Sequence, residues 1–256
     1  MTSRKKVGGI IISFKIMITQ DTLPINMKNI LIYEDSDLII VNKPAGLRTI
    51  RDGYNAFLPY LIGELEKNYG QLWVVHRLDK DTSGLVVIAR NPQSHRALNQ
   101  QFENRQVKKI YHALIIGNPT WDKKTVQSPL HVNGDRRHRT TIDPIHGKPA
   151  RTEFEVLKRW NYVSLVAAIP FTGYTHQIRV HLWSEGFPIL ADPLYKKRDA
   201  ENRPLQQPLI HRLALHALKI SFQHPATNTP MSIEAPYPPD FQRALQFLEQ
   251  QKQDRD

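Results

Sequence analysis

The ten residues from His76 to Leu85, HRLDKDTSGL, combine a histidine, an arginine and two aspartates in one polar segment. The flanking runs Leu72–Val75 and Leu85–Ala89 are short and rich in valine, which is typical of buried strands. The segment is therefore predicted to be a loop between two core elements, where catalytic groups are often found. A carboxylate flanked by Arg77 and Lys80 would stay ionised, as a nucleophile requires. The same residue types also form ordinary turns, so the residues alone leave both interpretations open.

The elements around this loop follow from hydrophobic periodicity. Two apolar runs on either side of the acidic turn at 34–37 predict a β-hairpin. Apolar residues at helical spacing predict helices over 56–69, 92–104 and 241–253. A basic loop that turns into a strand is expected over 105–117, a strand at 163–170, and a hairpin or long insertion between 120 and 150. Strand-rich segments interleaved with a few helices indicate the α+β class.

The charge of the chain points to a polyanionic partner. The 256 residues carry a formal net charge of +11, and no cysteine is present, which excludes disulfides, thiolate metal sites and a cysteine nucleophile. Between residues 101 and 160 there are 12 basic and 6 acidic residues, so the positive charge is clustered. The basic tip, residues 135–139 with Arg136, Arg137 and Arg139, is a candidate nucleic-acid contact rather than only a solvated loop.

The motif HRLD, two residues and TSGL resembles the signature of the RluA-type pseudouridine synthases, which isomerise uridine to pseudouridine in structured RNA. Further blocks resemble the family in the expected order over roughly residues 30–240: Asn42–Leu47, Arg105–Ala113, Thr172–His181, Gly186–Tyr195 and Arg212–Ala217. The resemblance implies a pseudouridine synthase fold, with a long mixed, mostly antiparallel sheet and flanking helices around a central basic cleft. Asp79 is then expected on the floor of that cleft.

The resemblance also implies roles for individual residues. Asp79 is the expected catalytic carboxylate, Arg179 its ion-pair partner, and Tyr111 the residue that packs on the target base and is a candidate to take the C5 proton. The expected substrate-binding residues are His76, Arg77, Thr82, Lys109, His176, Gln177, Arg136, Arg137 and Arg139. Ala191 stands where the family has glycine, so the turn there is expected not to need a positive φ.

The implied function is isomerisation of specific uridines in ribosomal RNA or tRNA, without a metal or a cofactor. Whether Asp79 attacks C1′ or removes the 2′ proton is open at this stage. The alternatives are a catalytically inactive RNA-binding or ribosome-assembly factor on the same fold, and a nucleoside or glycoside hydrolase that releases the base. The histidine spacings fit no common zinc motif, and no Gly-x-Ser-x-Gly elbow or phosphate-binding loop is present.

The sequence also suggests how the chain is organised. Residues 1–27 are predicted to be a non-core extension, and residues 28–250 a catalytic domain with two subdomains around one cleft. No separate S4-type RNA-binding domain is recognised ahead of the first motif. No run approaches the roughly 20 apolar residues of a membrane span. We therefore expect a cytoplasmic monomer that acts on structured RNA, with no membrane contact and no obligatory protein partner.

Overall fold

The computed structural model describes residues 6–7, 10–11, 29–136, 139–196 and 209–253. The strands of these ranges are β1 (Lys6–Val7), β2 (Ile10–Ile11), β3 (Leu31–Glu34), β4 (Leu38–Lys43), β5 (Trp73–Val74), β6 (Ser83–Ala89), β7 (Lys108–Ile116), β8 (Lys123–Val126), β9 (Leu130–His131), β10 (Thr141–Ile142), β11 (Thr152–Arg159), β12 (Val163–Pro170), β13 (Leu215–Gln223) and β14 (Pro230–Glu234). The helices are α1 (Leu61–Tyr69), α2 (Pro92–Glu103), α3 (Gln177–Ser184) and α4 (Pro239–Gln253).

One large sheet organises the molecule. Its strands follow the order β3-β4-β6-β13-β7-β12-β11-β8, with β14 paired to β13 and β5 to β6. Among the described pairings, that of β6 with β13 is parallel and the others are antiparallel. The predicted α+β class and the mixed, mostly antiparallel sheet are therefore confirmed. The hairpin predicted across the acidic turn is also present, as β3 and β4.

The strands next to the signature loop are buried on both faces. In β4, Leu38 and Ile40 belong to one apolar cluster, while Ile39 and Val41 belong to another. The residues of β6 alternate between the same two clusters. Leucines of α1 lie in the second cluster, and Leu98 of α2 lies in the first, so the two helices cover opposite faces. Burial of both faces explains why these strands are continuous apolar runs in the sequence.

The first helix is shorter than its spacing predicted. The apolar pattern indicated a helix over 56–69, yet α1 begins at Leu61. Phe57, which the pattern placed on the buried face, is 98% exposed. Pro59 accounts for the difference, because proline disfavours the helical conformation of the residue before it. The segment 48–60 is a loop instead.

Gly84 permits the close approach of β6 to β13. Its φ is +118°, and a Cβ atom there would lie 2.3 Å from the carbonyl oxygen of Ala217. Any other residue would meet backbone that cannot move aside, so the glycine of the signature is a requirement of the sheet.

Two further predictions concern the N-terminal extension and membrane-spanning segments. Of the predicted N-terminal extension, only the two-residue strands β1 and β2 are described, and they pair antiparallel. The remainder of residues 1–27 lies outside the described residues. Among the helices that are described, none has both the length and the apolar character needed to cross a membrane.

Candidate active site

The signature loop joins β5 to β6 and is fixed at its backbone. The hydroxyl group of Thr49 donates to the carbonyl oxygen of Leu78 at 3.0 Å and accepts from its amide at 3.1 Å. The amide of Thr82 donates to the carbonyl oxygen of Asp79 at 3.2 Å, which closes a tight turn around the carboxylate. Asp79 is thereby held between two buried anchors, since Leu78 and Thr82 are both buried.

Lys43 makes a hydrogen bond to the same loop from the protein interior. Its side chain is fully buried, and its ammonium group donates to the carbonyl oxygens of Pro44, Leu47 and Lys80 at 2.8–3.1 Å. Burial lowers the pKa of Lys43 to about 7, although the charges of Asp79 and Asp81 oppose that change. Lys43 thus links the end of β4 to the residue that follows Asp79.

A buried guanidinium group joins two carboxylates at the centre of the site. Nη1 of Arg179 lies 3.0 Å from Oδ2 of Asp79, and its Nε and Nη2 each lie 2.8 Å from the carboxylate of Asp192. The side chains of Arg179 and Asp192 are only 5% and 1% exposed, whereas that of Asp79 is 23% exposed. Burial opposes the charge of Arg179, but the bonds to Asp192 and Asp79 outweigh it and raise its pKa. The two-point contact with Asp192 fixes the plane of the guanidinium group, so that Nη1 points towards Asp79.

His176 stands beside this pair in a strained backbone conformation. It precedes α3 with a φ of +59°. Its Nε2 lies 3.7 Å from Oδ2 of Asp79, and its Nδ1 lies 3.1 Å from the hydroxyl oxygen of Tyr195. Burial lowers the pKa of His176, so the ring is neutral at neutral pH and leaves the ion pair of Asp79 with Arg179 undisturbed. A left-handed non-glycine residue at this point is consistent with a functional constraint.

The opposite wall of the site is formed by β7 and α2. Tyr111 packs between two of the apolar clusters, and burial and the charge of Asp79 both raise the pKa of its hydroxyl group. Its phenol is therefore neutral at neutral pH. The ammonium group of Lys109 lies 6.0 Å from the ring centre of Phe102, and burial lowers its pKa. The wall combines an aromatic surface with a partly buried cation.

Asp79, Arg179, His176, Lys109 and Tyr111 line one cleft of about 540 Å³. Nine of the predicted site residues line it: His76, Arg77, Asp79, Thr82, Lys109, Tyr111, His176, Gln177 and Arg179. They come from the signature loop, β7 and the start of α3, which the sheet brings together. Arg77 is exposed at the cleft, 3.4 Å from the hydroxyl oxygen of Thr175, so it can reach a bound phosphate or base.

Two further residues of the nine, Gln177 and His76, make hydrogen bonds within the protein. The side-chain amide of Gln177 makes four hydrogen bonds, to Thr172, Tyr174, Arg151 and Thr152, at 2.7–3.2 Å. Nε2 of His76 accepts from the amide of Val87 at 2.9 Å, and the ring stacks on Phe102 at 4.9 Å. Burial lowers the pKa of His76 to about 3. Both residues shape the cleft. All four hydrogen-bonding positions of the Gln177 amide have partners within the protein, so its expected direct binding role does not fit this geometry, whereas the binding role of His76 stays a prediction.

The described residues of the basic tip, Asp135, Arg136 and Arg139, lie outside this cleft, and the two arginines differ from each other. Arg136 is exposed. Arg139 is partly buried, pairs with Asp135 at 2.7 Å and donates to the carbonyl oxygen of Leu194. Arg137 lies outside the described residues. Arg136 therefore remains a candidate phosphate contact, whereas Arg139 holds the tip against the segment that contains Leu194.

Several contributors to the site were not identified from the sequence. Asp192, Lys43 and Tyr195 lie in recognised motifs, but a motif does not reveal which buried partner a residue contacts. The expectation for Ala191 was wrong, because its φ is +56° although it is not glycine. The next residue is Asp192, whose bonds to Arg179 and to the amides of Leu194 and Tyr195 hold the turn in that conformation.

One group of side chains has the geometry of a metal site within the described residues, and it lies away from the cleft. It consists of Asp35, Asp37 and His224. Their ligand atoms already make hydrogen bonds: Asp35 with Tyr33 and His224, and Asp37 with Ser94. The two aspartates lie in the hydrogen-bonded turn between β3 and β4, and His224, the residue after β13, bonds to that turn. We assign no metal to this group.

Comparison with known proteins agrees with this geometry. A family model described as RNA pseudouridylate synthase matches residues 37–184. The ribosomal large subunit pseudouridine synthase C of Vibrio vulnificus is 37% identical over 224 residues, which cover 87% of this chain and 70% of that protein. The dual-specificity RNA pseudouridine synthase RluA of the same organism is 34% identical over 211 residues, 80% of this chain and 82% of that protein.

A solved structure shares the fold along nearly the whole chain. Human RNA pseudouridylate synthase domain containing 1 superposes with a TM-score of 0.68 at 28% identity, over 88% of this chain and 93% of that one. The matched region of the family model includes Asp79, Tyr111 and Arg179, all of which line the cleft. This chain therefore belongs to the RNA pseudouridylate synthase family.

Proposed function

We propose that this protein isomerises specific uridines to pseudouridine in ribosomal RNA or tRNA, with Asp79 as the catalytic carboxylate. The observation that carries the proposal is the partly exposed carboxylate of Asp79 in the cleft, held by the buried Arg179, which Asp192 holds in turn. The names of the curated relatives support ribosomal RNA as a substrate class, and the relative with dual specificity keeps a second RNA class open.

The cleft can hold one nucleoside that has left its base stack. Both the anomeric carbon and C5 of a stacked uridine are inaccessible, so the nucleotide must be flipped into the protein. A volume of about 540 Å³ is in the range of small-molecule sites. Arg77 and Arg105, both exposed on the lining of the cleft, are placed to contact phosphates on either side of the flipped nucleotide.

The reaction breaks the C1′–N1 bond, forms a C1′–C5 bond, and moves the C5 proton away while N1 gains one. Asp79 acts on the ribose, either by bonding to C1′ or by taking the 2′ proton, and the geometry is compatible with both routes. Because atoms and electrons balance within the nucleoside, we propose that neither a metal nor a redox cofactor takes part. The detached uracil stays in the cleft, rotates and bonds again through C5.

Tyr111 is placed to act after Asp79 in this sequence. The charge of Asp79 is one cause of the raised pKa of Tyr111, so the neutral phenol is a poor base at the outset. We propose that Tyr111 supports the base throughout and acts after C5 has bonded to C1′, when the C5 proton must leave. Its hydroxyl oxygen then accepts the C5 proton while its own proton passes, directly or through water, to N1, so the phenol is neutral again at the end.

The RNA is the expected partner in solution. We propose that the protein acts in the cytoplasm as a monomer without an obligatory protein partner. The exposed arginines and the net charge of +11 supply the electrostatic attraction for RNA that this requires. Light scattering should show the mass of one chain without RNA, and the mass of one chain plus one RNA molecule when RNA is added.

The decisive experiment is tritium release from RNA labelled at uridine C5, taken from cells that lack this gene. The full chain should release tritium, whereas Asp79→Asn should not, because an amide can neither attack C1′ nor accept the 2′ proton. Asp79→Asn should still bind the RNA with an affinity close to that of the wild type. Asp81→Asn is the matched control, since Asp81 is in the same loop but does not line the cleft, and it should remain active. Release by Asp79→Asn at the wild-type rate would rule out the assigned carboxylate.

A further inference from the structure

The two most exposed aromatic side chains in the described part of the chain lie on one loop. Tyr54 and Phe57, in the segment 48–60, are each 98% exposed. The next large apolar side chain by exposure is Ile145 at 83%, and the others that are exposed are below 50%. Large apolar side chains left in water within a few residues of each other commonly mark a contact surface.

This aromatic loop, defined as residues 48–60, is bonded near its start to the backbone of the residue before Asp79. Its ends meet where the amide of Leu61 donates to the carbonyl oxygen of Arg48 at 2.8 Å. Thr49, at the start of the loop, makes both hydrogen bonds to the backbone of Leu78, the residue before Asp79. The loop is therefore attached to the same backbone that presents Asp79 to the substrate.

The loop also has an ordered conformation of its own. The carboxylate of Asp52 accepts from the amides of Tyr54 and Asn55 at 2.8–2.9 Å and pairs with Arg48 at 2.7 Å. The side chain of Asn55 accepts from the amide of Phe57 at 3.1 Å. Both aromatic residues thus follow local turns that fix their backbone, which reduces the entropy lost when the rings bind a partner.

The charge around the loop favours RNA over an apolar protein partner. Arg51 is exposed on the loop itself, and the exposed Arg77 follows in the signature loop to which Thr49 is bonded. Aromatic rings interleaved with arginines are the composition of surfaces that bind unpaired nucleotides, in which the bases stack on the rings and the cations contact the phosphates.

We propose that Tyr54 and Phe57 form a stacking platform for unpaired bases of the RNA next to the flipped uridine. The inference rests on the proposed function, which makes RNA the substrate at Asp79. The platform would bind the bases that unstack when the target nucleotide leaves its stack, and it would thereby favour single-stranded loops over regular duplex.

The test compares the wild type with the double variant Tyr54→Ala, Phe57→Ala in the full chain. The first probe is a single-stranded RNA of alternating cytidine and adenosine, about twelve nucleotides long, which matches usual single-strand site sizes and cannot pair with itself. The second probe is the same strand annealed to its complement. The double variant should bind the single strand about 10- to 100-fold more weakly, and the duplex as the wild type does.

Two control proteins separate stacking from other effects. Tyr54→Trp, Phe57→Trp keeps aromatic faces and should restore single-strand binding. Phe247→Ala removes an exposed aromatic ring from α4, which does not line the cleft, and should bind both probes as the wild type does. Thermal melting should show that all variants stay folded, since both loop side chains are almost completely exposed.

The inference is overturned if the double alanine variant binds the single strand as tightly as the wild type, or if it loses both probes equally. A change in oligomeric state without a change in RNA binding would instead assign the rings to a protein contact and would also overturn it. The probe contains no uridine, so its binding does not depend on catalysis. Failure of the proposed function would be visible separately, as absence of tritium release by the wild type.

Discussion

Arg179 is held by two carboxylates of different kinds: Asp192 is buried with it, whereas Asp79 reaches the cleft. The two hydrogen bonds to Asp192 determine the orientation of the guanidinium group, and the remaining Nη1 is aimed at Asp79. The group can therefore orient Asp79, the proposed catalytic carboxylate, without moving when substrate charge develops. A fixed partner of this kind contributes to catalysis because it does not have to reorganise during the reaction.

Arg179→Lys should lower the single-turnover rate of isomerisation by about 100-fold or more, because a lysine cannot contact Asp192 at two points and Asp79 at a third. RNA affinity should change little, since Arg179 is buried. Arg212→Lys is the matched control: Arg212 makes the same two-point contact with Asp240 but does not line the cleft. A similar loss of rate in both variants would show that the effect is general destabilisation.

At this scale the sequence predicted the residues that line the cleft better than those that support them. Asp79, Tyr111 and Arg179 were recognised through motif positions, and all three line the cleft. Lys43 and Asp192 received no role, because their effect depends on partners in distant segments. Lys43 contacts the carbonyl oxygen of Lys80, which is 37 residues away. No local pattern encodes such a contact.

At the scale of elements, α3 is flanked by two left-handed residues that are not glycine. His176 precedes the helix with a φ of +59°, and Ala191 follows in the turn that presents Asp192, with a φ of +56°. Both turns therefore carry backbone strain at or next to residues that contact Asp79 or Arg179. The surrounding hydrogen bonds to Asp192 and Tyr195 offset that strain.

Ala191→Gly should raise the free energy of unfolding by about 0.5–1 kcal/mol, since glycine adopts a positive φ without a steric cost. Ala97→Gly in α2 is the matched comparison and should lower it by about 1 kcal/mol, because glycine is unfavourable inside a helix. Urea unfolding of both variants measures the two changes. Destabilisation by both substitutions would mean that the alanine at 191 is not strained.

Because of Lys43, the free energy of unfolding is expected to change with pH in the neutral to alkaline range. Its pKa is lowered from 10.5 to about 7 in the folded protein. Between these pH values the unfolded chain binds a proton that the folded chain does not. The free energy of unfolding should therefore rise with pH in this window, by up to about 1.4 kcal/mol per pH unit from this group.

Lys43→Met should flatten that rise, and chemical denaturation at several pH values between about 7 and 10 measures the slope. Lys67→Met, which removes an exposed lysine from α1, is the control and should keep the wild-type slope. An identical slope in wild type and Lys43→Met would show that Lys43 titrates as an ordinary lysine. The absolute stability of Lys43→Met is not the test, because the variant also loses three hydrogen bonds.

At the scale of the whole molecule, the net charge of +11 attracts RNA. Individual arginines of the basic tip nevertheless differ in whether they are expected to contact RNA or to stabilise the fold. Arg136→Ala should reduce the slope of log affinity against log salt by about one, since one phosphate contact is lost. Arg139→Ala should instead lower the free energy of unfolding by about 1 kcal/mol, because its guanidinium group bonds Asp135 and Leu194. Titrations at several salt concentrations check the first, and urea unfolding the second. An unchanged slope for Arg136→Ala would make the tip an ordinary surface.

The strands and the fold class could be predicted because the apolar runs of β4, β6 and β12 are long and buried on both sides. The order of the strands could not be derived from periodicity, which says nothing about pairing partners. Residues 56–60 were wrongly predicted to be helical for a related reason: their apolar residues match a helical spacing, but Phe57 is exposed and Pro59 prevents the helix from beginning earlier.

The parallel pairing of β6 with β13 has a consequence for how the protein folds. β13 begins at Leu215, more than a hundred residues after the signature loop, yet it lies between β6 and β7. Until it is inserted, both of those strands have an open edge, and Asp79 and Tyr111 have no fixed separation. Contacts so distant along the chain form slowly, and their loop-closure entropy must be overcome first. Asp79 and Tyr111 are encoded early in the chain, but the cleft that they line is complete only once its late strand is in place.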